Sequence, residues 1–167
     1  MEVRPAVAEH ELDEVRRLFR AFVAWHRERH TEDRALIDAY FDAAAYEREI
    51  DGLPGAYGPP DGALLACWDR DLAVGCVAFK RLDGQTCEMK RMFVPAMARG
   101  RGVGRLLATE LIECARQAGY REMYLDTSIR QTEAIALYRD LGFREVEPYG
   151  DVPEATRGWL QFYRLEL

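Results

Sequence analysis

The chain predicts a mixed α/β domain of the α+β type, with a mostly antiparallel central sheet of about six to seven strands flanked by about four helices. Three strand-like runs, Ala63 to Trp68, Leu72 to Lys80 and Gln85 to Val94, are joined by short turns at Asp69 to Asp71 and Asp83 to Gly84, which is the connectivity of an antiparallel meander. The third run leads through a glycine-rich turn and a helical stripe into another strand, Met123 to Thr127, and that order makes a parallel crossover unit. Two helical stripes precede the meander.

Glu2 to Arg4 makes a short strand that Pro5 ends. Leu12, Val15, Leu18, Phe19, Phe22 and Val23 recur at helical spacing through about His26, and Leu36, Ile37, Tyr40, Phe41 and Ala44 predict a second helix to about Glu49. Gly52 to Gly62 contains Pro54, Gly55, Gly58, Pro59 and Pro60, cannot continue a helix, and reads as a loop within one fold. Beyond the meander, Val103, Leu106, Leu107, Leu111, Cys114, Ala115 and Ala118 form the inner stripe of a helix that Gly119 closes. Its Glu110, Glu113, Arg116 and Gln117 face solvent. Thr132 to Leu141 is a short helix ended by Gly142, and strands near Phe143 to Val146 and Trp159 to Leu165 finish the sheet.

At 167 residues the chain fits a single domain, residues 1–167. Its 49% hydrophobic and 31% charged residues are those of an ordinary soluble protein. A formal net charge of −6 argues against a nucleic-acid binder, which needs a basic face. Met1 to Val7 holds no apolar signal core, and no run approaches the roughly 20 apolar residues of a membrane span, so a cytoplasmic location off the membrane is expected. Cys67, Cys76, Cys87 and Cys114 lack paired metal spacing and read as buried, reduced thiols, and no metal site is predicted. His26 and His30 lack the zinc-protease order, in which Glu follows the first His, and predict an exposed polar face, with a substrate role for His26 as the alternative.

Chemistry concentrates in Arg99, Gly100, Arg101, Gly102, Val103, Gly104 and Arg105. Glycines let backbone N–H groups approach an anion, the following helix aims its positive end at the same point, and three arginines add charge there. A nucleotide-hydrolysing loop would place Lys and Ser or Thr after the last glycine, where Arg105 and Leu106 stand. A dinucleotide fingerprint would need glycine at Arg105 or Leu107. What remains is a pyrophosphate cradle or a glycine-rich turn with solvated arginines.

Arg99, Gly102 and Gly104 fit a motif of Gln or Arg, two residues, Gly, one residue, then Gly or Ala. Ala134, Ile135, Ala136, Leu137, Tyr138, Gly142 and Phe143 form a second motif, and Glu88, Met89, Lys90 and Arg91 precede the loop. In these features the chain resembles the GNAT superfamily of N-acetyltransferases, in particular its small bacterial-type members, most closely over Cys87 to Tyr149. The resemblance implies a GNAT-like sheet and acetyl-coenzyme A as cosubstrate, its pyrophosphate gripped by the loop. The backbone of Met92, Phe93 and Val94 would pair with the pantetheine arm and polarise the acetyl carbonyl. Gln131 stands where many relatives place an Asn that touches the cofactor.

Acetyl transfer needs a neutral amine, a polarised thioester and a proton for the departing thiolate. Tyr138 occupies the family's general-acid position; its spacing with Ala134, Leu137 and Leu141 also suits a core tyrosine. Glu88 lies eleven residues before Arg99, the slot of the catalytic glutamate in members that use one, and otherwise reads as an ion-paired strand residue. The implied acceptor is a primary amine of a small molecule or a protein, met by the first two helices, the Gly52 to Gly62 loop and Tyr149 to Pro153. His26, Tyr40, Asp42, Tyr57 and Tyr149 are the candidates there. A homodimer is a compatible assembly. The alternatives are a transferase with another acyl donor or an oxygen acceptor, and a noncatalytic acyl-coenzyme-A-binding or regulatory module.

Overall fold

The structure, a computed structural model, describes residues 1–167. Its strands are β1 (Glu2–Pro5), β2 (Ala63–Asp69), β3 (Leu72–Arg81), β4 (Thr86–Phe93), β5 (Glu122–Ser128), β6 (Arg144–Val146) and β7 (Leu160–Glu166). They form one seven-stranded sheet in the order β1-β2-β3-β4-β5-β7-β6. Every neighbouring pair is antiparallel except β4 and β5. The helices are α1 (Glu9–Arg29), α2 (Arg34–Tyr40), α3 (Ala43–Asp51), α4 (Val103–Gln117), α5 (Thr132–Asp140) and α6 (Glu154–Arg157). None is long and apolar enough to cross a membrane.

Strand alternation divides the core between the two faces of the sheet. Leu64, Ala66 and Trp68 pack with Leu12, Val15, Leu18 and Phe22 of α1, while Leu65 and Cys67 pack with Leu107, Leu111 and Ala115 of α4 and with Tyr138 of α5. Gly75 on β3 lets α4 come close, since a Cβ there would stand 2.9 Å from Leu107 and 3.0 Å from Val103.

Some expectations change. The helix predicted to run on to Glu49 breaks at Phe41 and Asp42, where the Asp42 carboxylate accepts the Ala45 N–H at 2.8 Å and starts α3 afresh. Asp42 is thus a helix cap. Leu106, predicted to be buried, is 39% exposed, and Ala108 and Ile112 fill the inner face of α4 in its place. The cysteines are free, with Cys67, Cys76 and Cys87 buried and Cys114 half-buried. The one-turn α6 lies in a stretch with no periodic signal.

The parallel pair is short. β4 and β5 pair only at Thr86 with Glu122, Cys87 with Met123 and Glu88 with Tyr124. Past that point β4 keeps to β3, where the register slips between Cys76 and Ala78, and Arg91 takes a left-handed backbone at φ 58°. A side chain in that region costs roughly 1–2 kcal/mol. The Arg91 side chain offsets it: Nε and Nη2 donate to the two Glu49 carboxylate oxygens at 2.8 and 2.7 Å, and the guanidinium lies over the Tyr46 ring at 4.9 Å. Tyr57, from the loop after α3, donates its hydroxyl to Glu49 at 2.8 Å.

Glu49→Ala leaves the buried Arg91 guanidinium unpaired and is expected to lower stability by about 3 kcal/mol, measured by urea unfolding. A loss under about 1 kcal/mol would show that the ion pair does not hold the bulge.

Candidate active site

Where β4 ends and α4 begins, a groove of about 340 Å³ opens against α1 and α5. Met92, Phe93, Val94, Arg99, Gly100, Gly102, Val103, Gly104 and Gln131 line it, so nine of the residues marked by sequence stand together. Gly100 and Gly102 have φ of 73° and 77°, and a Cβ at either would meet open space. The requirement is therefore backbone conformation, not crowding. Gly102 precedes α4, whose first i to i−4 bond runs from the Leu106 N–H to the Gly102 carbonyl. The preceding N–H groups of α4 have no intrahelical acceptor and no side-chain cap, which leaves donors and the positive helix end for an anion. Gly104 is helical; a Cβ there would touch Leu137 at 3.5 Å, an ordinary contact that an alanine satisfies.

The three arginines do not converge as expected. Arg101 turns to Asp69 at 3.8 Å and Arg105 to Asp140 at 2.9 Å, both on the surface, because those carboxylates flank the loop. Arg99 alone lines the groove. Its Nε donates to the Val94 carbonyl at 2.9 Å and its guanidinium lies 4.5 Å from the centre of the Trp25 ring. Arg29 of α1, which sequence reasoning did not single out, faces Trp25 at 5.3 Å and pairs with Glu133 at 2.7 Å. Burial and the like charge of Arg29 pull the Arg99 pKa down, so a bound anion would relieve both cations.

The groove continues into the sheet. Met92 and Gln131 also line a narrow cavity of about 50 Å³, bordered by Met89 and Lys90 of β4, Leu125 and Asp126 of β5, Tyr138 of α5 and Tyr40 of α2. This is the gap left where β4 parts from β5. Tyr138 is buried in it, and burial first, then Asp126 and Tyr40, hold its phenol well above the usual range. It carries its proton at neutral pH.

Beyond the gap lies a third cavity of about 450 Å³, which Tyr40, Lys90 and Asp126 share with Lys80, Glu88, Tyr149 and residues 150–153. Glu88 stands here, outside the gap. Its Oε1 accepts from Tyr149 at 3.1 Å and from the Lys90 ammonium at 3.2 Å, with Lys80 at 3.7 Å from Oε2. Lys90 also donates to Asp126 at 3.0 Å and to the Tyr40 hydroxyl at 3.0 Å, and Tyr40 donates to Asp126 at 2.7 Å. Burial opposes the Lys90 charge, but Tyr40, Asp126 and Glu88 hold its pKa well above the ordinary value. Burial pushes the Tyr40 phenol up to about 12.

Of the acceptor candidates, Tyr40 and Tyr149 line this third cavity and His26 lines the gap, whereas Tyr57 is in the core and Asp42 caps α3. His26 corrects the exposed face expected of it: it is 1% exposed, packed among Phe22, Trp25 and Trp159, with Nε2 at 2.6 Å from Gln131 Nε2. Lys90 and Asp126 form the polar centre of the site. The signal for Asp126 was a single charge following Met123, Tyr124 and Leu125, and for Lys90 its place in the run Glu88, Met89, Lys90 and Arg91.

A model of the acetyltransferase (GNAT) family matches residues 13–143. The chain is 42% identical over 113 residues to an uncharacterized N-acetyltransferase of Schizosaccharomyces pombe, covering 66% of this chain and 68% of that protein. It is 39% identical over 119 residues to an IAA acetyltransferase of Azospirillum brasilense, covering 71% and 75%. An N-acetylaspartate synthetase of Danio rerio is 32% identical over 154 residues, covering 83% of this chain and 54% of that protein. Among solved structures, the PaiA N-acetyltransferase of Thermoplasma acidophilum in complex with coenzyme A superposes with a TM-score of 0.75 at 14% identity, over 99% of this chain and 98% of that one.

Burial draws the His26 pKa down from 6.5 to about 4, aided by the like charges of His30 and Arg29. Between those values the unfolded chain binds a proton that the folded chain does not, so stability present above about pH 6.5 is lost as pH falls toward 4, by about 3 kcal/mol in total. His26→Gln is expected to flatten the dependence of urea-unfolding stability on pH over that window; an unchanged slope would place the acid sensitivity elsewhere.

Proposed function

Because the chain belongs to the acetyltransferase (GNAT) family and is an acyltransferase with acetyl-coenzyme A as cosubstrate, we propose that it acetylates the primary amine of a small molecule by direct attack while both substrates are bound. The observation that carries this reading is the continuity of the three cavities, from an anion-binding groove through the gap to a polar chamber, by way of Met92 and Gln131 and then Lys90 and Asp126. The relatives named for IAA and for N-acetylaspartate support a small-molecule acceptor.

In this reading the N–H groups at the start of α4, with Gly100, Gly102 and Arg99, take the pyrophosphate, and the backbone of Met92 to Val94 holds the arm that carries the acetyl group toward the gap. Acceptor amine enters from the opposite side. Glu88 lies on the route by which its proton leaves through the chamber, and Tyr138 donates a proton to the thiolate as the carbon–sulfur bond breaks. A raised phenol pKa does not prevent that transfer, because a dry site raises thiols as well. The buried Cys76 thiol of this chain is pushed up to about 12.

Tyr138→Phe keeps the packed ring and removes only the hydroxyl, so the fold and the affinity for coenzyme A should persist. Single-turnover thiol release with acetyl-coenzyme A and an amine is expected to slow by about 10² to 10⁴. Transfer within about twofold of the unmodified protein would make Tyr138 a packing residue and contradict the proposed chemistry.

A further inference from the structure

Two buried carboxylates serve the acceptor side, and they are not equivalent. Glu88 borders only the outer chamber, whereas Asp126 borders both the chamber and the gap that Tyr138 lines. β5 carries Asp126 two residues past Tyr124, its last partner to β4, to the point where the strands have parted. Its side chain is 10% exposed, with Oδ2 accepting from Tyr40 and Oδ1 from Lys90. Each oxygen keeps a further lone pair for a ligand N–H.

Positive charge is unevenly shared between the two carboxylates. Glu88 and Asp126 share one buried ammonium, Lys90; Lys80 stands 3.7 Å from Glu88 at the chamber rim, and the Arg91 guanidinium is engaged by Glu49. An entering ammonium would pair with Asp126, whose only cation is the shared Lys90, in preference to Glu88, which also has Lys80. We propose that Asp126 is a catalytic residue of this enzyme, the first acceptor of the proton that an ammonium substrate must lose, with Glu88 next along the path to solvent.

This rests on the acyl-transfer reading, and its protons balance. The ammonium gives one proton to the Asp126 carboxylate, which passes it out through the chamber past Lys90, Glu88 and Tyr149. The freed nitrogen pair attacks the acetyl carbon, the nitrogen–carbon bond forms, and the carbon–sulfur bond breaks with its electrons on sulfur. Tyr138 protonates the sulfur and recovers a proton from the new amide nitrogen. The net change is an ammonium and a thioester becoming an amide, a thiol and one released proton. Tyr40 from α2, Lys90 and Glu88 from β4, Tyr138 from α5 and Tyr149 line these cavities with Asp126, as do the titratable or charged His26, Lys80, Arg91 and Asp151.

Two nucleophiles separate this role from a structural one. Ethylamine is an ammonium at pH 7, as a lysine side chain is, and needs the proton acceptor; hydroxylamine is mainly neutral at pH 7 and does not. Thiol release from acetyl-coenzyme A is measured with each, after subtracting the rate without protein. The ratio of ethylamine to hydroxylamine rates is expected to fall at least tenfold in Asp126→Asn and by less in Glu88→Gln. An unchanged ratio in Asp126→Asn, whether or not both rates drop, overturns the assignment, as does a larger fall in Glu88→Gln. If the unmodified protein releases thiol with neither amine, the amine-acetylation reading fails, and the role of Asp126 with it.

Discussion

The parting of β4 from β5 after Glu88 is the constraint on which the site depends. A sheet with a complete parallel ladder would be a closed wall, its edges paired and its two faces isolated. Here three residue pairs hold the strands together, the bulge at Arg91 turns β4 toward β3, and the gap beyond joins the face packed by α4 and α5 to the face packed by α1 and α2. The left-handed Arg91 backbone is unfavourable by itself, and its side chain makes it tenable by reaching Glu49 on α3. The N-terminal helices thus hold the bulge open as well as covering the sheet.

Burial then sets the protonation states around the gap. Tyr138, Tyr40 and Tyr149 are pushed toward the neutral phenol, His26 toward the neutral imidazole, and Lys90 is kept charged only by the carboxylates and phenol it touches. Charge gathers at the Glu88, Lys90 and Asp126 cluster on one side and at Arg99, Arg29 and the start of α4 on the other. A thioester placed between them would meet a narrow passage bordered by Tyr138, Lys90 and Asp126, whose charges and dipoles are already oriented, so that electrostatic stabilisation would cost little reorganisation.

Features set by local chemistry were legible in the sequence. Short turns gave the meander, glycines with a following helix gave the loop, and helical spacing gave α1, α4 and α5. Features set by distant contacts were not. Nothing in the order Lys90, Arg91, Met92 announces a bulge, because its counterweight, Glu49, lies 42 positions earlier. His26 and His30 look polar until Phe22, Trp25 and Trp159 close around the first of them. The fate of each loop arginine turns on neighbours remote in sequence, Asp69 for Arg101 and Asp140 for Arg105. Asp42 could have been read as a cap before Ala43 to Ala45, had the apolar stripe through Phe41 not favoured one continuous helix.

In the proposed reading, donor and acceptor enter the passage from opposite ends and react directly while both are held. Initial rates of thiol release, with acetyl-coenzyme A and ethylamine varied independently, test this most directly. Intersecting double-reciprocal lines are expected, because each substrate reaches the gap from its own side before chemistry occurs. Parallel lines, the signature of an acetyl group parked on the protein after the first product leaves, would contradict the central role given to the gap.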